Sequence, residues 1–213
     1  MMASVAAASG QWFSRQLRTL FVVGVAVAAL SGCSVDKPSF TGSDVSGTTY
    51  GKELALTGHD GQPRTLADFR GKVIALFFGY VQCPDVCPTT LVTLAEVMKQ
   101  LGPDASRVQV LFVTVDPERD TREILAEYLP AFNPSFLGLR GDADATARVA
   151  KEFRVFYQKR PGPEPGIYTM DHSAGTYLFD PQGRLRVYIS YGQGADVILH
   201  DIRELLRTGT AGN

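Results

Sequence analysis

The chain has 213 residues, is 45% hydrophobic and 20% charged, and carries a net charge of −1. That length fits one domain with a short appendage, and the composition fits a globular protein with one core. The near-neutral charge argues against nucleic acid as a partner, and three cysteines are too few for a disulfide framework.

Residues 1–32 contain Arg15 and Arg18 but no acidic residue, and the apolar run Leu20 to Leu30 follows the arginines. A basic stretch followed by a short apolar one is the pattern of an export signal. Eleven residues fall short of the roughly 20 that a membrane-spanning helix needs. Leu30-Ser31-Gly32-Cys33 resembles a bacterial lipobox, in which the chain is cut before the cysteine and the cysteine is lipidated. The expectation is a signal peptide over 1–32, a lipid on Cys33 and a flexible tether over 33–49, rich in Ser, Thr, Gly and Asp. The protein would then be exported and membrane-anchored, facing the periplasm or the cell exterior.

A domain is expected over 50–208, with 209–213 as a disordered tail. Gly51 to Asp60 alternates in character and ends in His59-Asp60-Gly61-Gln62, a hairpin signal. Val73 to Phe78 is six apolar residues in a row, as in a strand buried on both faces. Leu91, Leu94, Ala95, Met98 and Leu101 recur at helical spacing over Thr89–Leu101, with Pro88 suited to the first turn and Gly102-Pro103 ending the helix. Val108 to Val115 is a second strand, so the strand–helix–strand order predicts a parallel pair. Helices follow over Thr121–Leu129 and Asp142–Phe153. Lys159 to Gly166 is rich in Pro and Gly and is expected to be a loop without regular structure. Thr176–Phe179 and Leu185–Ile189 flank Asp180-Pro181-Gln182-Gly183 and form a hairpin. Ala195–Leu206 closes the domain as a helix with Ile198, Leu199, Ile202, Leu205 and Leu206 inward. This order predicts an α/β, thioredoxin-like fold: a mixed central sheet with helices on both faces and an N-terminal hairpin extension.

Cys83-Pro84-Asp85-Val86-Cys87-Pro88 lies between a buried strand and a helix start. A helix N-terminus favours negative charge and therefore the thiolate, the form that attacks disulfides and binds soft metals. Three residues separate the cysteines, one more than disulfide oxidoreductases usually carry. The wider turn can close to a disulfide or aim two sulfurs at one ion.

This loop resembles that of the Sco (SenC-like) family. So do Val115-Asp116-Pro117-Glu118-Arg119-Asp120-Thr121 and Tyr168-Thr169-Met170-Asp171-His172-Ser173-Ala174-Gly175-Thr176-Tyr177-Leu178, in the family's order. The resemblance implies that Cys83, Cys87 and His172 bind copper. Two thiolates with one imidazole suit Cu(I), and the imidazole helps to hold Cu(II). Zinc would normally call for a fourth ligand. His59 reads as a solvated turn residue and His200 as surface. Met170 is a candidate soft ligand but reads rather as core or loop packing. Asp116 follows a buried strand and is a candidate neighbour of the ligands or a weak ligand itself, or else a turn residue capping the Glu118 or Arg119 amides.

The resemblance implies a copper metallochaperone for the CuA site of cytochrome c oxidase, with the copper-receiving subunit as partner. Other periplasmic copper chaperones or thiol reductases are further partners. The alternative is a thiol–disulfide oxidoreductase using Cys83 and Cys87 as a redox pair. No proline immediately precedes Thr176, where thioredoxins place one to seat substrate peptides, which weakens a general reductase role. A peroxidase is disfavoured, because no arginine and threonine are evident beside Cys83. An enzymatic activity is not the main expectation.

Overall fold

The computed structural model describes residues 37–209 except Pro165. Cys33, the expected signal peptide and the residues after 209 lie outside the described part. The strands are β1 (Ser43–Asp44), β2 (Ala55–Gly58), β3 (Pro63–Thr65), β4 (Val73–Gly79), β5 (Val108–Thr114), β6 (Leu137–Arg140), β7 (Tyr157–Pro161), β8 (Tyr168–His172), β9 (Thr176–Phe179) and β10 (Leu185–Ile189). The α-helices are α1 (Val86–Leu101), α2 (Arg122–Tyr128), α3 (Ala143–Glu152) and α4 (Ala195–Gly209).

Eight strands form one mixed sheet in the order β1-β10-β9-β4-β5-β6-β2-β3. β4 lies at its centre, parallel to β5 and antiparallel to β9. Every residue of β4 is buried, as its unbroken apolar run requires. Strand side chains alternate between faces. Val73, Ala75 and Phe77 accordingly pack with Leu91 and Leu94 of α1 and with Ile198 and Leu205 of α4. Ile74, Leu76 and Phe78 point the other way, against Val149 of α3, Phe69 and Phe153. This is the thioredoxin-like layout expected from the element order. The N-terminal hairpin β2–β3 extends the main sheet by pairing with β6.

Two segments differ from the sequence-based expectation. Within 33–49, β1 pairs with β10, and the fully buried Asp201 accepts hydrogen bonds from the Thr41 and Gly42 amides at 2.7 and 2.8 Å. The domain thus holds chain that composition alone assigned to a tether. Backbone amides docked on a buried carboxylate need no apolar side chains, so hydropathy carries no sign of them.

Lys159 to Pro161 is not a loop but most of β7, paired with β8. Only the turn that follows is irregular. Pro161 ends a strand in a two-stranded ribbon, where every strand is an edge and a missing N–H is tolerated.

Candidate metal centre

The carboxyl ends of β4 and β5 lie at the same end of the sheet, because the pair is parallel with Gly79 opposite Thr114. Ligand sites gather there. The chain leaves β4 at Gly79, forms the loop that carries Cys83 and enters α1, so Cys87 lies in the first helical turn. A Cβ at Gly79 would stand 2.8 Å from the Cys87 sulfur and 2.9 Å from the Phe112 ring. Only glycine lets this strand end press against the buried cysteine.

The two cysteines are unequal. Cys87 is fully buried, and burial raises its thiol pKa. Cys83 is half-buried, and its sulfur accepts the Cys87 backbone N–H at 3.4 Å. A helix-start amide thus points at the more accessible of the two sulfurs.

His172 comes from β8. Its Nδ1 lies 3.0 Å from the Ser173 carbonyl, which fixes Nδ1 as the protonated nitrogen. Nε2 is then left with its lone pair, 3.5 Å from the Cys87 sulfur. Burial lowers the imidazole pKa and keeps it neutral, the form that ligates metals. Among the described residues, Cys83, Cys87 and His172 form a group whose ligand atoms lie within 4.8 Å of one another. Cys83 and His172 open on a cleft of about 440 Å³, with Cys87 buried behind it. Two soft sulfurs and one borderline nitrogen fit copper, whereas structural zinc sites usually close with four ligands.

Asp116 is not in that group. Its carboxylate pairs with Arg119 Nε and accepts the Tyr168 hydroxyl at 2.9 Å. It does not cap the turn with its side chain, since the amides of Arg119 and Asp120 donate to the Asp116 carbonyl. Arg119 also donates to Gln82 Oε1 and to the Tyr168 carbonyl, both at 2.9 Å. Its guanidinium lies 3.6 Å from the Tyr168 ring centroid. The Asp116–Arg119 pair therefore ties the cysteine loop to the hairpin that bears His172. Met170 is buried and packs in the core, as expected. His200 is exposed, as expected, and meets Thr41 and Asp201. His59 is not solvated: half-buried, its Nδ1 accepts the Gly138 amide at 3.2 Å.

Two residues at the site escape a reading by motif. Tyr80 is 2% exposed and stands edge-on to His172, with ring centroids 5.9 Å apart. Asp120 is 1% exposed and accepts both the Thr114 hydroxyl at 2.6 Å and the Val81 amide at 3.1 Å, holding the start of the cysteine loop. For Tyr80 the available signal is an aromatic residue with a polar tip just beyond the buried strand, three positions before Cys83.

Residues 43–207 match the family described as SCO1/SenC. The mitochondrial protein SCO2 homolog of Mus musculus is 40% identical over 153 residues, which covers 71% of this chain and 60% of the mouse protein. The chain thus spans less than two thirds of that relative. The copper-bound ScoI structure from Bradyrhizobium japonicum is 39% identical, with a TM-score of 0.69, and the match covers 74% of this chain and all of that one. Apo Sco1 from Thermus thermophilus is 42% identical with a TM-score of 0.71, over 80% of this chain and 99% of that one.

Proposed function

The chain belongs to the SCO1/SenC family, and on that premise we propose that it binds one copper ion through Cys83, Cys87 and His172 and passes it to the CuA site of cytochrome c oxidase during assembly. The observation that carries this reading is the convergence of two sulfurs and one imidazole nitrogen within 4.8 Å. A similar structure, ScoI from Bradyrhizobium japonicum, holds copper. Cys83 opens on the cleft, so an incoming ligand can attack a bound ion by exchange between soft donors. Asp116 acts through Arg119 and Tyr168, steadying the hairpin that presents His172.

The copper-receiving oxidase subunit is the partner in this reading, and other copper chaperones or thiol reductases supply metal or electrons. The sequence pattern of residues 1–33 supports export and a lipid on Cys33, which would confine the search for a membrane-bound partner to the membrane plane.

The test is a Cu(I) titration of the reduced full chain in detergent against a competing chelator, beside Cys83→Ser, Cys87→Ser and His172→Ala. One tight equivalent, lost or much weakened in all three variants, is the expected result. Normal copper affinity in His172→Ala would sink the site assignment.

The second reading, disulfide exchange, is favoured by the pairing of a half-exposed Cys83 with a buried Cys87. An accessible thiolate attacks and a protected thiol resolves the mixed disulfide. A readily reducible Cys83–Cys87 disulfide without tight copper binding would make this the function.

A further inference from the structure

A second groove adjoins the metal cleft, and Ala174 lines both. Its walls include Thr89, Thr90 and Thr93 on α1, with Tyr191 and Gly194 in the loop that joins β10 to α4. The Thr90 and Thr93 hydroxyls donate to the Val86 and Thr89 carbonyls at 2.8 and 2.9 Å. The Thr89 hydroxyl donates to the Asp85 carboxylate at 3.4 Å. Each hydroxyl has one proton to give, so the helix wall presents methyl groups and no free donor. No charged residue lines the groove.

Two features fit this groove to another chain. Five large apolar side chains are exposed among the described residues, and two of them stand here. Tyr191 lines the groove at 45% exposure, and Val92, 59% exposed, lies one helical turn from Thr89. An uncharged surface with an exposed aromatic has the character of an interface core. The second feature is the backbone. Residues 173–175 link β8 to β9, and neither the amide nor the carbonyl of half-buried Ala174 hydrogen-bonds within the described residues. Free groups of this kind pair with an extended chain, as at a sheet edge. At about 230 Å³ the groove is smaller than the roughly 300–1,000 Å³ of small-molecule pockets. It fits a side chain or two rather than a cofactor. Ala174 stands two residues after His172, so a chain paired there runs beside the candidate ligands.

We propose that this groove seats an extended, uncharged segment of the copper-receiving partner. The segment pairs with the Ala174 backbone, sets an apolar side chain between α1 and Tyr191, and brings the partner's own soft ligands to Cys83. The inference rests on the copper reading above and deepens it. Exchange between soft donors would serve any thiol, whereas a seated segment makes delivery selective.

The test measures copper transfer from the Cu(I)-loaded full chain, in detergent, to two acceptors. One is the copper-free CuA-bearing subunit of the oxidase in the same detergent. The other is a small chelator, which needs no docking. Tyr191→Ser and Thr93→Lys should each raise the subunit concentration that half-saturates the transfer rate roughly tenfold, the cost of losing an interface anchor. The limiting rate, the copper affinity and the transfer to the chelator should stay at wild-type values. Both positions tolerate the change, since Tyr191 is exposed and lysine favours a helix more than threonine does. Half-saturation within about twofold of wild type in either variant overturns the proposal. So does an equal slowing toward the chelator, which would move the effect to the metal centre. A wild type that passes copper to the chelator but not to the subunit sinks the delivery reading itself, whatever the variants do.

Discussion

The loop that carries Cys83 and Cys87 leaves a strand buried along its whole length, whereas His172 ends a two-stranded ribbon whose residues are mostly exposed. The first region is held by apolar burial on both faces of the sheet. The second is held at a few points: Met170 in the core, Tyr168 on Asp116, Arg119 on the Tyr168 carbonyl, and the Lys159–Glu118 ion pair at 2.7 Å. A metal centre assembled from both can lose the imidazole without losing the sulfurs. Substitutions that load one region or the other should therefore separate the two.

The largest effect is expected at Arg119. Arg119→Ala leaves Asp116, 2% exposed, as an unpaired buried charge, a loss of about 3–5 kcal/mol. Chemical denaturation should show the loss. Hydrogen exchange should rise in β7 and β8 well before β4 and β5. Equal loss of protection in both regions would erase the distinction drawn here.

A smaller effect belongs to the cysteine side and depends on pH. Burial raises the Asp120 pKa to about 6 from an ordinary 3.8, against hydrogen bonds from Thr114 and Val81. The folded state therefore binds this proton more tightly than the unfolded state. Stability should fall as pH rises from 3.8 through about 6, and the loss stays complete above that. A shift of about two units corresponds to roughly 3 kcal/mol. Asp120→Asn should flatten this part of the stability–pH curve. A curve of unchanged slope would mean that Asp120 does not carry it.

Next is Gly79→Ala, which pushes a methyl group against the Cys87 sulfur and Phe112. Overpacking of this kind costs about 1–3 kcal/mol. It should weaken copper binding while exchange in β7 and β8 stays at the wild-type rate. The smallest effect is expected for Lys159→Gln, which removes an exposed ion pair worth below about 1 kcal/mol. A loss of several kcal/mol, read from denaturation midpoints, would show that the ribbon depends on its surface pair.

Legibility in the sequence follows the same division. β4, α1 and β5 announce themselves through apolar runs and helical spacing, and the cysteine loop lies between them. His172 is visible as a ligand only through the family resemblance, because a lone histidine carries no spacing signal. Lys159-Arg160-Pro161 looks like a loop, since a ribbon with polar side chains on an edge shows no hydrophobic pattern. His59 looks solvated because its partner, the Gly138 amide, is 79 residues away. Tyr80 carries no motif at all, and its ring neighbours His172 and Arg119 lie far away in the chain.

By itself the sequence determined the central strands, the helices that cover them and the pair of thiols at a helix start. Burial and capping are local properties, written in the order of residue types. Only the tertiary structure decided that the histidine would stand 3.5 Å from Cys87, that Arg119 would join loop to hairpin, and that Tyr80 would share a cleft with His172. Those contacts join residues far apart in the chain through directional polar geometry, which the folded backbone sets and no spacing of residues encodes.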